Sequence, residues 1–154
     1  MRLLVVVALT MAALAVGRPA PVGAQTAETA AVESAFKQAF AAQDVEAVMA
    51  LYAEDAVEVT SFGTFRGRAE IRTFIEAFFA QNPGFSVSYS ESAIVLNTAV
   101  RRSFFTSDTI KAAGVSRIVA FSTTVVAQGT IASDTGLLDL SDPETARFAA
   151  LMAR

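Results

Sequence analysis

The hydrophobic positions of this chain change their period near Gly84, so that a helical first half is followed by a strand-rich second half. In the first predicted helix the apolar residues recur at helical spacing and the charged residues fall on the other side, namely Val32, Phe36 and Phe40 against Glu33 and Lys37. Asp44 precedes VEAVMALYA as an N-cap, which predicts a second helix that includes Tyr52. The third, GRAEIRTFIEAFFAQ, has apolar residues at i, i+3, i+4, i+7 and i+8, and NPG ends it.

Strand patterns occur once before the third helix, in AVEVTSF, and dominate after Gly84. FSVSYSES alternates apolar residues with serines, and four further segments have strand character: IVLN, AVRRSFFT, VSRIVAFSTTVVA and TIASDTGLLDL. Gln128 and Gly129 predict a hairpin turn between the last two. SDTIKAAG fits either one helical turn or a wide loop. SDPE reads as a capping box in which Ser141 caps a short C-terminal helix.

This order of elements predicts an α+β fold. We expect a cone-shaped, curved antiparallel sheet with the helices packed on its concave face.

The N-terminal segment has the layout of a secretory signal peptide. A short basic start precedes the apolar run LLVVVALTMAALAV and then small residues, which predicts cleavage after Ala24. The run is shorter than the roughly 20 residues that span a bilayer. We therefore predict a signal peptide over residues 1–24, one domain over residues 25–154, a secreted or periplasmic location, and no stable membrane anchor after cleavage.

The composition excludes several chemistries. The chain has 12 basic and 15 acidic residues, and removal of Arg2 and Arg18 with the signal peptide leaves a net charge of −5, which disfavours nucleic acid as a partner. It has no Cys and no His, which excludes thiol catalysis, serine–histidine catalysis and typical zinc sites. No calcium-loop motif is present. We expect no metal and no cofactor.

The chain resembles the nuclear transport factor 2-like, or SnoaL-like, superfamily of ketosteroid-isomerase-like cone folds. The likeness lies in FKQAFAAQDVEAVMALYAEDAVEV, FRGRAEIRTFIEAFF and the hairpin AQGTI, and it spans nearly the whole of residues 25–154. The family includes isomerases, cyclases, epoxide hydrolases and ligand-binding proteins, so the resemblance implies the fold and leaves the activity open. Its ketosteroid isomerases use an Asp base and a Tyr donor, and this chain has Thr60 and Phe36 at those positions. Its polyketide cyclases use an acid with a His, which this chain lacks.

Glu58 is the remaining candidate for a catalytic acid or base. It shares a strand face with Thr60, a position that the family turns toward the cavity. A carboxyl group there would be partly desolvated, which would raise its pKa. In the alternative interpretation Val57 and Val59 face the core and Glu58 faces water. Glu54 and Asp55 are interpreted as solvated acids at a helix end.

Aromatic residues favour a pocket, because most are Phe and many lie on the elements that should enclose the cone. The predicted pocket residues are Tyr52, Thr60, Phe62, Phe79, Tyr89 and Phe121. Arg101 and Arg102 must face opposite ways on their strand, so one of them, or Arg117, could enter a pocket. There it would be paired with an acid such as Glu58 or Glu91, or would favour an anionic ligand.

Our first hypothesis is therefore an exported SnoaL-like domain that binds a small hydrophobic molecule in an apolar pocket. The second is a cofactor-free isomerase, cyclase or hydrolase that uses Glu58 as acid or base, with Tyr52 or Tyr89 as donor. The third is a homodimeric interaction module without a ligand, which pairs through the open face of its sheet.

Overall fold

The structure is a computed structural model that describes residues 21–90 and 92–153. Its elements follow one another as α1 (Val22–Ala41), α2 (Val45–Leu51), β1 (Tyr52–Thr60), β2 (Gly63–Arg66), α3 (Gly67–Gln81), β3 (Ser86–Tyr89), β4 (Ala93–Val95), β5 (Thr98–Thr106), α4 (Asp108–Ala112), β6 (Ile118–Ala127), β7 (Thr130–Leu138) and α5 (Pro143–Met152).

The strands form one curved, open sheet in the order β2-β1-β7-β6-β5-β3, with β4 also paired to β5. The pairings are antiparallel except that of β1 with β7, which is parallel. The predicted α+β class is confirmed, and the sheet is mixed rather than wholly antiparallel. Tight hairpins enforce antiparallel neighbours, whereas β1 and β7 are separated by residues 61–129 and carry no such constraint.

The main core lies where α1, α2 and α3 pack against the sheet. Its buried members include Val32, Phe36, Met49, Ile71 and Ile131. A smaller cluster lies at the other end, where α4 and α5 meet the sheet through Ile110, Val115, Ile118 and Phe148. The space between these two clusters, on the helix-covered face of the sheet, is where the candidate site lies.

Several local predictions are resolved by the structure. Gln128 and Gly129 have φ angles of 52° and 74°, as a tight hairpin turn between β6 and β7 requires. SDTIKAAG contains the short helix α4, which Ser107 caps by accepting a hydrogen bond from the Ile110 amide. Tyr52 is the first residue of β1 rather than the end of α2, because its ψ of 140° is already extended.

The predicted cap of the last helix was wrong by one residue. Asp142, not Ser141, caps α5, and its side chain accepts from the Thr145 amide at 3.0 Å. Pro143 occupies the first helical turn, where its fixed φ suits the helix, so the cap is the residue before it. Glu144 instead accepts from the backbone amides of Ser116 and Arg117 at 3.0 and 3.2 Å.

Residues 1–20 of the predicted signal peptide lie outside the described residues. Its last three residues, 22–24, form the first turn of α1, and Val22 is 65% exposed. Among the described helices none is both long enough and apolar enough to cross a membrane.

Candidate functional site

A cavity of about 90 Å³ lies between the sheet and helices α1 and α3. Its helix side is aromatic, formed by Phe36 and Phe40 of α1 and Phe74 and Phe78 of α3. Its sheet side carries the polar groups. A volume of this size exceeds the ~10–15 Å³ that one water molecule needs, so it could hold several waters or a small organic group.

The strand register arranges the polar groups of the sheet in rows. Glu58 of β1 lies beside Asp134 of β7, which lies beside Thr124 of β6. In the next row Thr60 lies beside Gly136, and Ser122 lies beside Arg101 of β5. Paired residues on neighbouring strands share a face, so both rows point toward the helices.

Glu58 is buried, at 6% exposure, and lies in the cavity wall. The buried hydroxyl of Tyr52 donates a hydrogen bond to Glu58 Oε2 at 2.6 Å. Burial raises the pKa of Glu58 well above its ordinary value, and the charge of Asp134 raises it further, while the Tyr52 hydrogen bond and Arg101 act in the opposite direction. The carboxyl group therefore retains its proton to a higher pH than an exposed glutamate does.

Arg101 is the buried cation of the site, and each of its terminal nitrogens already donates to a side chain. Nη1 donates to Glu33 Oε2 at 2.9 Å and to Thr124 Oγ1 at 2.7 Å, and Nη2 lies 3.4 Å from Asp134 Oδ2. Thr124 also donates to Asp134. Glu58 is not among the ion-pair partners of Arg101, so the guanidinium does not directly neutralise it.

Among the described residues, three buried carboxyl groups thus lie near the Arg101 guanidinium, between the sheet and the helices. These are Glu33, Glu58 and Asp134. Burial also raises the pKa of Asp134, while Arg101 and the Thr124 hydrogen bond lower it. Because one positive charge cannot balance three negative ones in a site removed from water, the site favours retaining a proton, and Glu58, which lacks an ion pair, is the group best placed to hold it.

The structure places four of the predicted pocket residues in the cavity wall, namely Tyr52, Thr60, Phe62 and Tyr89. The Thr60 hydroxyl accepts from the Phe62 amide at 3.0 Å and lies 3.3 Å from the Gly63 carbonyl, so it is engaged in the β1–β2 turn. Phe62 lies at the rim and is 55% exposed.

The predictions for Phe79 and Phe121 need correction, because neither lines the cavity. Phe79 lies one turn beyond Ile75 on α3 and packs against Phe40 and Phe85, with ring centroids 5.0 and 5.5 Å apart, so its ring fills the core beside the cavity. Phe121 lies on the opposite face of β6, where it is 50% exposed. Strand alternation directs its neighbours Ala120 and Ser122 toward the cavity instead.

The remaining charged candidates lie outside the cavity. Arg102 faces away from Arg101, packs 5.3 Å from the Phe121 ring centroid, and donates to Asp139 at 2.7 Å. Arg117 packs over Phe104. Glu54 and Asp55 are both exposed, and Glu54 pairs with Arg68 at 2.8 Å. The predicted partner Glu91 lies outside the described residues.

Two site residues were not identified from the sequence. Glu33 was expected on the polar side of α1, yet it is 2% exposed and bound to Arg101. Its spacing of three from Phe36 is a helical same-face spacing that would have placed it inward. Asp134 could have been found by counting back in steps of two along β7 from Leu138, which also lines the cavity.

A second cavity of about 300 Å³, lined mainly by apolar side chains, adjoins the first. The two share Phe62, Phe74, Phe78 and Ile118, and the second extends to Phe148 and Met152 of α5. The first cavity therefore leads into the second, which forms an apolar groove beside α5. Within the described residues, no group of three or more Asp or Glu side chains is arranged to hold a metal ion.

The family model described as "SnoaL-like domain" matches residues 32–134. A search of curated proteins gave no match. Among solved structures, an epoxide hydrolase of the LEH-like kind from M. tuberculosis is 20% identical, with a TM-score of 0.63, and the match covers 83% of this chain and 95% of that one.

A candidate ketosteroid isomerase from Kribbella flavida is 19% identical, with a TM-score of 0.63 and coverage of 75% and 80% of the two chains. A candidate polyketide cyclase from Sinorhizobium meliloti is 17% identical, with a TM-score of 0.62 and coverage of 69% and 93%. At these identities the likeness shows a shared fold.

Proposed function

Because this chain belongs to the SnoaL-like domain family, which is related in fold to isomerases, cyclases and epoxide hydrolases, we propose that its cavity binds a small, mostly apolar molecule and that Glu58 transfers a proton on it. The observation that carries the proposal is the buried, proton-retaining Glu58 carboxyl group in the wall of an aromatic cavity. General acids and bases are most effective when their pKa lies near the working pH, and burial moves a carboxyl group in that direction.

The position of Glu58 favours this function over ligand binding alone. A cavity that only bound apolar molecules would gain nothing from a desolvated carboxyl group, because burying a polar group costs free energy. Tyr52 stabilises the charged form of Glu58 through its hydrogen bond, and Asp134 disfavours that form through its charge. These opposing effects suit a group that must both hold and release a proton.

The test is solvent deuterium incorporation into a panel of small uncharged ketones and esters that have acidic C–H groups. Binding of each compound is measured in parallel by protein NMR. We expect the wild-type protein to accelerate exchange in compounds that bind, and Glu58→Gln to bind them with similar affinity while losing about 100-fold or more of the acceleration.

Asp108→Asn serves as a matched control, because Asp108 is an exposed acid outside the cavity, and it should exchange at the wild-type rate. A wild-type protein that binds members of the panel without accelerating exchange is a binding protein, and the acid/base role of Glu58 is then wrong. Exchange that persists in Glu58→Gln overturns the assignment of Glu58.

We also propose export and self-association, the two remaining expectations from the sequence. Export is supported by the apolar, small-residue composition of residues 1–24. Self-association is supported by the outer face of the sheet, where Phe121 lies beside Leu137 on the next strand and both are about half exposed, at 50% and 46%. Adjacent exposed apolar side chains of this kind are typical of contact surfaces between proteins.

A further inference from the structure

Two hydrogen-bonding groups in the cavity wall have no partner among the described residues. These are the hydroxyl group of Tyr89 and the Nε–H group of Arg101, and both atoms are buried. Both residues line the cavity. Buried polar atoms are nearly always hydrogen-bonded, so an unpartnered pair in one cavity points to a group that binds there.

The strand register places the two residues on the same face of the sheet. Tyr89 of β3 pairs with Ser103 of β5, and Arg101 lies two residues before Ser103 on the same strand. Residues two apart on a strand point the same way. Both side chains therefore extend from adjoining positions of the sheet toward the aromatic helix side.

The chemistry of the two groups specifies an acceptor. An arginine Nε–H group can only donate a hydrogen bond. The two Nη atoms of Arg101 already donate to Glu33, Thr124 and Asp134. A phenol hydroxyl can donate as well. Burial raises the pKa of Tyr89 far above its ordinary value, so the hydroxyl keeps its proton.

The surrounding charges specify that this acceptor is uncharged. Arg101 already faces the carboxylates Glu33 and Asp134, and Glu58 lines the same cavity. Lys37 approaches the Tyr89 ring from α1, with its ammonium nitrogen 5.3 Å from the ring centroid, and donates to Ser92, which in turn donates to Glu33. An anion at this place would compete with Glu33 and Asp134, which already accept from Arg101, and would be repelled by them, whereas a neutral oxygen would not.

We propose that Tyr89 and the Nε–H group of Arg101 form an anchor for one uncharged acceptor oxygen of the ligand, such as a carbonyl oxygen. A carbonyl oxygen has two lone pairs and can accept from both donors at once. The anchor gives the ligand of the proposed function a defined polar end, held away from the apolar groove that leads to α5. This inference deepens the proposed function and rests on the same cavity being the ligand site.

The test uses three probes of one shape. Acetophenone carries a carbonyl oxygen, α-methylstyrene replaces that oxygen with a methylene group, and benzoate carries a negative charge. Their dissociation constants are measured by NMR titration. We expect wild-type protein to prefer acetophenone over α-methylstyrene by about five-fold or more, the typical value of one or two net hydrogen bonds, and to bind benzoate more weakly than acetophenone.

Tyr89→Phe removes the hydroxyl and keeps the ring, so it should reduce the preference for acetophenone to within about two-fold. Ser88→Ala, on the same strand but exposed, is the matched control and should keep the wild-type preference. Acetophenone should also shift the Arg101 Nε–H resonance, and α-methylstyrene should not. This second readout reports on Arg101 without mutating it, which would disrupt its ion pairs.

Equal binding of acetophenone and α-methylstyrene by the wild type would overturn the anchor, as would a preference that Tyr89→Phe leaves intact. Equal binding would also be the result if water alone satisfied the two donors. Tighter binding of benzoate would overturn the uncharged class. The failures of the two proposals are distinguishable. The deuterium-exchange rate of Glu58→Gln tests only the proton-transfer group, and the preference for acetophenone over α-methylstyrene tests only the oxygen anchor.

Discussion

The hydroxyl group of Tyr52 lies 2.6 Å from Oε2 of Glu58, and both residues are buried, Tyr52 at the start of β1 and Glu58 near its end. The hydrogen bond joins residues only six positions apart, so it is local to β1. The pairing of β1 with β7 shifts register between Tyr52 and Val57, which marks a bulge or irregularity there. Such irregularities re-aim side chains, and here the tyrosine hydroxyl meets the carboxyl group inside the cavity.

The pH dependence of stability should reveal the buried acid. Because the pKa of Glu58 is higher in the folded state than its ordinary value of 4.5, the folded protein binds more protons than the unfolded chain between those two values. The contribution of Glu58 to the free energy of unfolding should therefore be largest below pH 4.5. It should fall as the pH rises from 4.5 to the higher pKa of the folded state. One such group contributes a slope of at most about 1.4 kcal/mol per pH unit.

Glu58→Gln removes this group, so its stability should fall less steeply from about pH 4.5 upward than that of the wild type, as measured by urea unfolding at a series of pH values. Glu54→Gln is the control, because that side chain is 82% exposed, and it should keep the wild-type slope. Parallel curves for Glu58→Gln and the wild type would show that Glu58 titrates as an ordinary surface acid.

Arg101 and Arg102 provide a matched pair for testing the buried network. Arg101→Met leaves Glu33 and Asp134 without their cation in a buried site, and we expect a loss of about 3–5 kcal/mol in the free energy of unfolding. Arg102→Met removes an ion pair whose arginine is 40% exposed, and we expect a loss of about 1 kcal/mol. Denaturant unfolding at neutral pH measures both, and equal losses would contradict the assignment of Arg101 as the central cation.

Phe36 and Phe121 should respond very differently to truncation. Phe36 is 4% exposed and belongs to the main core, so Phe36→Ala should cost about 3–5 kcal/mol of stability. Phe121 is half exposed on the outer face, so Phe121→Ala should cost about 1 kcal/mol or less in the monomer. Thermal unfolding of dilute protein compares the two, and a larger effect at Phe121 would mean that the faces of β6 are reversed.

Export should be visible at the N-terminus of the mature protein. N-terminal sequencing of protein recovered outside the cytoplasm should begin at or near Gln25. Cleavage after Ala24 would remove three residues of α1 but keep Thr29, whose hydroxyl donates to Gln25 and lies 3.0 Å from the Leu96 carbonyl. A recovered chain that still carries Leu3 to Val16 would refute cleavage.

Self-association through the outer face should depend on Phe121. We expect light scattering to give the mass of a dimer for the wild type and of a monomer for Phe121→Glu, because a charge there would be buried against the second copy. Ala27→Glu, on the exposed side of α1, should keep the wild-type mass. A wild type that stays monomeric at high concentration would remove the proposal.

The sequence predicted the elements whose pattern is local. Three examples are the apolar stripe of α3, the Gln128–Gly129 turn and the opposite orientations of Arg101 and Arg102. Each depends on the spacing of residues only a few positions apart, which the sequence shows directly. All three lie within residues 32–134, which the SnoaL-like model matches.

The remaining features depend on distant partners. The spacing of Glu33 from Phe36 indicates the inner side of α1, but the cation that makes its burial tolerable, Arg101, lies 68 residues away and cannot be identified from α1 alone. The cavity side of β6 alternates through Ala120 and Ser122, while its outer side carries Phe121, so the usual rule that the more apolar face lies inside gives the wrong face here. On this strand the positions that face the cavity carry small or polar side chains at Ala120 and Ser122, while the large aromatic Phe121 lies outside.

The parallel pairing of β1 with β7 also determines when the site can exist. Glu58 and Asp134 become neighbours only through this pairing, which joins the first and last strands of the described residues. Contacts between such distant segments are slow to form, because a long loop must close before they stabilise anything. A nascent chain that ends before Thr130 lacks β7, so the Glu58 carboxyl group gains its Asp134 neighbour, and this wall of the cavity, only after that strand has been made.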